Sequence, residues 1–404
     1  MLAIRATRMF DGQRFSAGGA TVLTDGGQIV GVEEGFPDVG EQWQIINHED
    51  ATILPGLIDT HVHLVGDSGV GALDRVAGFT DDELDAVITE GLRCQLSAGV
   101  TTVRDLGDRR FSVLERRDRQ RGGGALEPEP TILASGPPLT SPGGHCFYMG
   151  GEVAGSAGIE AAIAERLERS IDVVKVMASG GMTTPGTDVM GTQFSTDELR
   201  LIVRLAHDAG LPVTAHAHAL SAVEQAVDVG VDGIEHCSCL TNKGAELSDS
   251  LLARLVESGV AVGAALGVPP ASQFDMAPQA IKDLMRRAGV TPEGLRTMRL
   301  QTTGRMHRAG VRFVTGADSG INPHMSHGGL RHAASFLVEA GASTRDALAA
   351  STSVAAEVCV LGDRKGFLRD RYDADIIVVH GNAEADIEAL QDVRSVILGG
   401  SVVR

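Results

Sequence analysis

The stretch from residue 52 to residue 364 alternates between short apolar runs and longer segments of helical periodicity, and this alternation constrains the fold most strongly. Helical patterns separate most of the runs, for example residues 81–98, 195–209 and 221–229. Repeated strand–helix units predict a parallel sheet, and eight of them predict a closed (β/α)8 TIM barrel with its site at the carboxyl ends of the strands. The predicted strands are Thr52–His61, Thr101–Asp105, Thr131–Ser135, Asp172–Met177, Pro212–His216, Gly233–His236, Val260–Ala264 and Arg312–Asp318.

The two ends of the 404-residue chain have a different pattern. Residues 1–51 and 365–404 contain short apolar runs separated by turn signals such as Asp25-Gly26-Gly27 and Gly399-Gly400. We expect these ends to pair into one small composite β-sandwich. The predicted organisation is therefore a sandwich of 1–51 with 365–404, and a barrel over 52–364.

Charge and hydropathy exclude several classes of protein. With 53 acidic against 35 basic residues the formal net charge is −18, which argues against nucleic acid or an anionic membrane surface as the main partner. The longest apolar stretches, such as Val260–Val268, are far shorter than the roughly 20 residues of a membrane span. The first residues lack the apolar core of a secretory signal, so we expect a cytoplasmic protein.

The first predicted strand ends with His61 and His63. Residues i and i+2 of a strand share a face, so both imidazoles would reach one point inside the barrel. Two histidines near a strand end also occur without a metal, and this pair alone leaves metal binding open.

Lys175 lies in the fourth predicted strand among apolar residues, and only four of the 35 basic residues are lysines. Desolvating an ammonium group is costly, so two interpretations are open. Its head could extend to water. Alternatively, its charge is removed by a lowered pKa or by reaction with CO₂, which gives a carbamate able to bridge two cations.

Further candidate ligands end the later strands. His216 and His218 follow the fifth strand, His236 the sixth and Asp318 the eighth. Each is weak alone, but all lie at the same end of the predicted barrel. Together with His61, His63 and Lys175 they form a mixed nitrogen and oxygen set that suits zinc or a similar divalent ion.

With these residues in these positions, the sequence resembles the metal-dependent amidohydrolase superfamily, in particular the branch of Xaa-Pro dipeptidases, related carboxypeptidases and imidazolonepropionase-like proteins. The resemblance spans essentially the whole chain. It rests on LPGLIDTHVHL, AGVTTVRDLG, SPGGH, VVKVMASGGMTTPGTD, VTAHAH, GIEHC, GADSG and the C-terminal segment that begins KGFLRDRYDADIIVVH.

The resemblance implies two divalent metal ions, most simply Zn²⁺. His61, His63 and Asp318 would bind one ion, His216 and His236 the other, and carboxylated Lys175 and a hydroxide would bridge them. Asp318 and Lys175 would then be catalytic. His145, in SPGGH, matches a substrate-contact position, and His218 stands where related dipeptidases often carry a substrate-contacting tyrosine.

These features predict a hydrolase that cleaves an amide bond of a small peptide-like molecule, a dipeptide or an N-acyl amino acid. A second possibility is hydrolysis of a cyclic amide, carbamate or urea-type bond, or deamination of a heterocycle. A third is a non-catalytic barrel, which the intact ligand positions disfavour. We expect a homo-oligomer. The Pro- and Met-rich segment Leu266–Pro292 is either a lid or a plain surface excursion.

Overall fold

The structure is a computed structural model that describes residues 1–16, 18–125, 127–264 and 279–404. Seven strands from the chain ends form one sheet in the order β17-β16-β15-β4-β1-β2-β3. They are β1 (Leu2–Met9), β2 (Ala20–Asp25), β3 (Gln28–Glu34), β4 (Gln44–Pro55), β15 (Ile376–His380), β16 (Val393–Leu398) and β17 (Ser401–Val402).

The two chain ends meet in this sheet, because β4 lies parallel to β1 on one side and antiparallel to β15 on the other. The long strand β4 joins the N-terminal and C-terminal strands in one hydrogen-bonded order. The edge strand β3 also contacts the segment just before β15, where Ile29 N donates to the carbonyl of Tyr372 at 2.8 Å. The arrangement of these strands as a two-layer sandwich stays a prediction. One face buries a small core that includes Ile4, Val22 and Ile376.

Eight further strands are parallel to their neighbours and follow chain order within two sheets, β5-β6-β7 and β8-β9-β10-β13-β14. Backbone hydrogen bonds join the sheets at both edges: Met177 N donates to Leu139 O at 2.8 Å, and His63 N donates to Ser319 O at 2.8 Å. The strands are β5 (Leu57–Val62), β6 (Val100–Asp105), β7 (Thr131–Ala134), β8 (Val174–Met177), β9 (Val213–His216), β10 (Gly233–Glu235), β13 (Ala261–Ala264) and β14 (Arg312–Thr315). A short hairpin, β11 (Leu240–Thr241) and β12 (Gly244–Ala245), follows β10.

The predicted strand Thr52–His61 is wrong as a single element. Its first half belongs to β4 in the terminal sheet, and its second half is β5. The break falls at Gly56, where a Cβ atom would lie 2.1 Å from Oγ1 of Thr101, so only glycine allows the chain to cross between the two sheets here.

Helices cover the parallel strands, and their sequences show why they form where they do. Helices α2 and α5 begin at capping boxes, Thr80 with Glu83 and Ser195 with Glu198. The helices are α1 (Ala72–Val76), α2 (Asp81–Ser97), α3 (Ser112–Arg121), α4 (Gly155–Glu168), α5 (Thr196–Asp208), α6 (Leu220–Val229), α7 (Asp249–Ser258), α8 (Gln279–Ala288), α9 (Pro292–Ala309), α10 (Leu330–Glu339), α11 (Thr344–Ala350) and α12 (Ser353–Val358). Two 3-10 helices are Phe147–Met149 and Ile387–Gln391.

Of the segment Leu266–Pro292, residues 266–278 lie outside the described residues, and the remainder forms α8 and the start of α9. No helix in the described ranges combines the length and the apolar character that a membrane crossing requires.

Candidate active site

Three residues from the two ends of the parallel array form the first donor group. Asp318 follows β14, and its Oδ1 lies 3.3 Å from Nε2 of both His61 and His63 on and just after β5. The second nitrogen of His63 contacts the carbonyl of Gly107 at 3.1 Å. All three side chains are buried, so one carboxylate oxygen and two imidazole nitrogens converge away from bulk water.

His216, His218 and His236 form the second donor group. Their ring nitrogens lie within 4.8 Å of one another, and the rings of His218 and His236 stack at 4.5 Å between centroids. His218, predicted as a substrate contact, therefore lies as close to His216 and His236 as these two predicted ligands lie to each other. Its Nδ1 is 2.9 Å from Oγ of Ser238.

The two groups touch each other. The centroids of the His61 and His236 rings are 5.4 Å apart. Lys175 on β8 is 2% exposed, and its Nζ is buried without a hydrogen bond among the described residues. Burial is the largest cause that lowers the pKa of this amine, which favours its neutral form.

His145 lies on the other side of the second group, with its ring centroid 4.6 Å from that of His216. Its Nδ1 is 2.8 Å from Oγ1 of Thr184, in the loop after β8. Gly181 makes room for the imidazole, because a Cβ atom there would lie 2.2 Å from two ring atoms. The structure thus brings every residue predicted for the site into one region.

Electrostatics keep most of the imidazoles neutral. Burial, followed by the neighbouring imidazoles, holds the pKa values of His216 and His236 well below the ordinary value. Burial also lowers the pKa of His145 and of His218 to about 3. The neutral imidazole is the form that binds a divalent metal ion.

Asp318 and His63 behave as a pair. Burial alone would raise the pKa of Asp318, but the charges of His61 and His63 and the hydrogen bond from His63 outweigh it, and the pKa is lowered. Burial opposes protonation of His63, yet the hydrogen bond to Asp318 and its charge raise the pKa of His63.

Glu235 and Arg104 belong to the site, and the sequence analysis missed both. Oε2 of Glu235 is 3.1 Å from Nδ1 of His61, and its Oε1 accepts hydrogen bonds from Arg104 Nη2 at 3.1 Å and Thr214 Oγ1 at 2.8 Å. A carboxylate on the second nitrogen of a ligand histidine fixes its tautomer and ring orientation. For Glu235 the sequence did contain a signal, namely a charged residue at the end of the short apolar strand Gly233–Glu235.

The backbone explains how adjacent residues Glu235 and His236 both contact His61. In an extended strand they would point to opposite faces. Strand β10 ends at Glu235, and His236 has a φ of 67°, in the left-handed region. Asp318 likewise follows its strand with a φ of 50°. Such conformations are uncommon outside glycine and concentrate at functional sites.

The donor chemistry fits metal ions. The site combines neutral imidazoles, one ionised carboxylate and an amine that has no hydrogen bond among the described residues. Unpaired polar groups in a protein interior lower stability, so this cluster is unfavourable unless it binds a ligand. Two such groups side by side suit a pair of divalent cations.

A family model described as the amidohydrolase family matches residues 52–403, so the chain belongs to that family. Ochratoxinase of Aspergillus niger is 26% identical over 397 residues, covering 91% of this chain and 78% of the relative. Imidazolonepropionase of Salinispora tropica is 26% identical, over 63% of this chain and 72% of the relative.

Solved structures give the same result for the fold. A prolidase in complex with N-methylphosphonate-L-proline has a TM-score of 0.81 at 25% identity, covering 100% of this chain and 99% of the other. A Xaa-Pro dipeptidase with bound methionine has a TM-score of 0.86 at 23% identity over the same shares. The protein is accordingly a hydrolase of amide or related C–N bonds.

Proposed function

We propose that the protein is a metal-dependent hydrolase of peptide-like amides, with a dipeptide or an N-acyl amino acid as substrate. The observation that carries this proposal is the junction of two three-residue donor groups, buried except for the half-buried His236. The amine of Lys175 lies beside them without a hydrogen bond among the described residues. The two parallel sheets, hydrogen-bonded at both edges, are interpreted as the halves of one closed (β/α)8 barrel.

In this proposal His61, His63 and Asp318 would hold one divalent ion, and His216 and His236 would hold the other, with zinc as the expected metal. Lys175, as a carbamate, would supply an anionic oxygen ligand to both. The lowered pKa of its amine supports this role, because only a neutral amine attacks CO₂; the new N–C bond forms as the nitrogen loses a proton. Bound ions would polarise the scissile carbonyl and make a water molecule acidic near neutral pH.

The residues of the chain supply the proton transfer. Asp318 is ionised, so it can accept the proton of the attacking water and pass it to the leaving amine. His145 and His218 are neutral and both lie beside His216, where each can donate one hydrogen bond to a substrate carbonyl or carboxylate. A small-molecule amide as partner, a cytoplasmic location and a homo-oligomer remain part of the proposal.

A second candidate is hydrolysis of a cyclic amide, carbamate or urea-type bond, or deamination of a heterocycle. This candidate is supported by the similarity of the chain to a relative named imidazolonepropionase. The same donor groups would serve either reaction, so the substrate decides between them.

The test combines metal analysis with a substrate panel. The purified protein should contain up to two divalent ions per chain, and chelation should abolish hydrolysis until zinc is restored. Asp318→Asn should lower kcat at least about 10²-fold, because the proton carrier is lost. Dipeptides and N-acyl amino acids should outperform lactams, carbamates and ureas. Full activity of metal-free protein would refute the proposal, and preference for the cyclic or urea-type substrates would establish the second candidate.

A further inference from the structure

Arg299 on α9 contacts the site from outside the barrel strands. Its Nη1 donates to the backbone carbonyl of His236 at 3.2 Å and to Oγ of Ser238 at 3.1 Å. The same Ser238 hydroxyl is 2.9 Å from Nδ1 of His218. The guanidinium group is therefore one hydroxyl away from an imidazole of the second donor group.

Arg299 has no carboxylate within 4 Å in the part of the chain that the structure describes, and its Nε and Nη2 make no hydrogen bond there. Two other arginines of the same helix are paired, Arg296 with Glu339 and Arg305 with Asp249 at 2.7 Å. Arg308, at the end of the helix, has no ion pair among the described residues either. Arg104, the other guanidinium near the site, is paired with Glu235. A partly buried guanidinium without an anion is costly, and one edge of its planar donor fork remains available for a ligand.

A buried apolar cluster lies one helical turn from Arg299. Leu295, one helical turn earlier, packs with Val189 from the loop after β8 and with Leu240. Leu240 is tied to the site, since its N donates to the carbonyl of His218 at 2.7 Å. Met182, Met190 and Met285 pack against this cluster. This packing fixes α9, and with it Arg299, against the loop after β10.

We propose that Arg299 recognises the free α-carboxylate of the substrate and so makes the enzyme prefer the acid over the matched amide. This inference rests on the proposed function. Nε and Nη2 would bind both carboxylate oxygens, the bidentate geometry that arginine favours. A protein with a formal net charge of −18 repels anions at long range, so a local cation is needed to hold such a substrate.

The experiment compares matched ligands with and without the charge. Alanyl-leucine and its C-terminal amide serve for hydrolysis, and N-acetyl-leucine and its amide serve for calorimetric binding to metal-loaded protein. Arg299→Gln should raise KM for the dipeptide about 10- to 100-fold, the usual range for a lost charge-assisted hydrogen bond, with little change in kcat. Values for the amide should hardly change. Arg299→Lys should recover part of the preference for the acid, and Arg296→Gln is the control.

Each result decides the proposal. If the wild-type protein binds acid and amide equally, or if Arg299→Gln and Arg299→Lys weaken both alike, Arg299 only holds the loop after β10 and the inference fails, whatever the enzyme hydrolyses. If the protein cleaves neither peptide but binds N-acetyl-leucine through Arg299, the carboxylate site stands and the proposed reaction fails.

Discussion

His61 is contacted on both ring nitrogens by carboxylates from different strands. Asp318 lies 3.3 Å from Nε2, and Glu235 lies 3.1 Å from Nδ1. An ionised Glu235 keeps the proton of the ring on Nδ1, which leaves the lone pair of Nε2 directed at the first donor group. Burial opposes the ionisation of Glu235, but the charge of His61, its hydrogen bond and the charge of Arg104 together lower the pKa of Glu235.

Glu235→Gln should therefore weaken metal binding about 10- to 100-fold, the usual cost of losing an outer carboxylate of this kind. The measurement is a competition titration with a chromogenic chelator, supported by metal content. Thr214→Val is the matched control, because it removes only the 2.8 Å hydrogen bond to the other oxygen of Glu235. Equal metal affinity in wild type and Glu235→Gln would show that another contact orients His61.

At the scale of elements, the loop after β8 positions a residue that belongs to the loop after β7. Thr184 fixes one nitrogen of His145, and Gly181 lies under the ring. A methyl group at residue 181 would occupy the position of the imidazole, and the buried ring would have to move. The two loops therefore place His145 jointly.

Gly181→Ala should lower kcat/KM about 10²-fold, in line with the cost of a misplacement of about 1 Å at a reacting centre. Metal content should stay near wild type, since the added Cβ would meet His145, which is not a proposed metal ligand. Gly158→Ala in α4 is the control, because its added Cβ meets nothing within 4 Å. Unchanged kinetics in Gly181→Ala would remove His145 from the proposed substrate contacts.

At the scale of the molecule, the C-terminal segment joins the terminal sheet through a buried ion pair. Nζ of Lys365 is 3.1 Å from Oδ2 of Asp373 and also contacts Asp375, whose other oxygen accepts the backbone N–H of Gly399 at 3.0 Å. Lys365 is 5% exposed. Removing its charge would leave Asp375 buried without a cation.

Lys365→Met should lower the free energy of unfolding by about 3–5 kcal/mol, the usual penalty for breaking a buried pair. Urea denaturation at fixed metal concentration measures it. Arg364→Met is the control: Arg364 also pairs with Asp373, at 2.6 Å, but is exposed, so its loss should cost less than about 1 kcal/mol. Equal effects of the two substitutions would contradict this account.

Much of the architecture follows from local patterns. The two-residue period of a strand is a property of neighbouring residues, so it assigns His61 and His63 to one face before any tertiary contact is known. The order of strands in both parallel sheets follows chain order, as the strand–helix alternation predicts. The pairing of the two chain ends was predicted in the same way, from apolar runs and turn signals.

The sequence by itself determined which residue types end the strands, because hydropathy and spacing are written in short stretches of chain. Only the tertiary structure decided which side chains meet. The contact of Glu235 with His61, the hydrogen bond from Arg299 to Ser238 and the crossing between sheets at Gly56 each depend on strand register and helix placement. Strand register and helix placement depend on the packing of the whole chain. The local sequence around two residues that are far apart in the chain does not show that they come into contact in the fold.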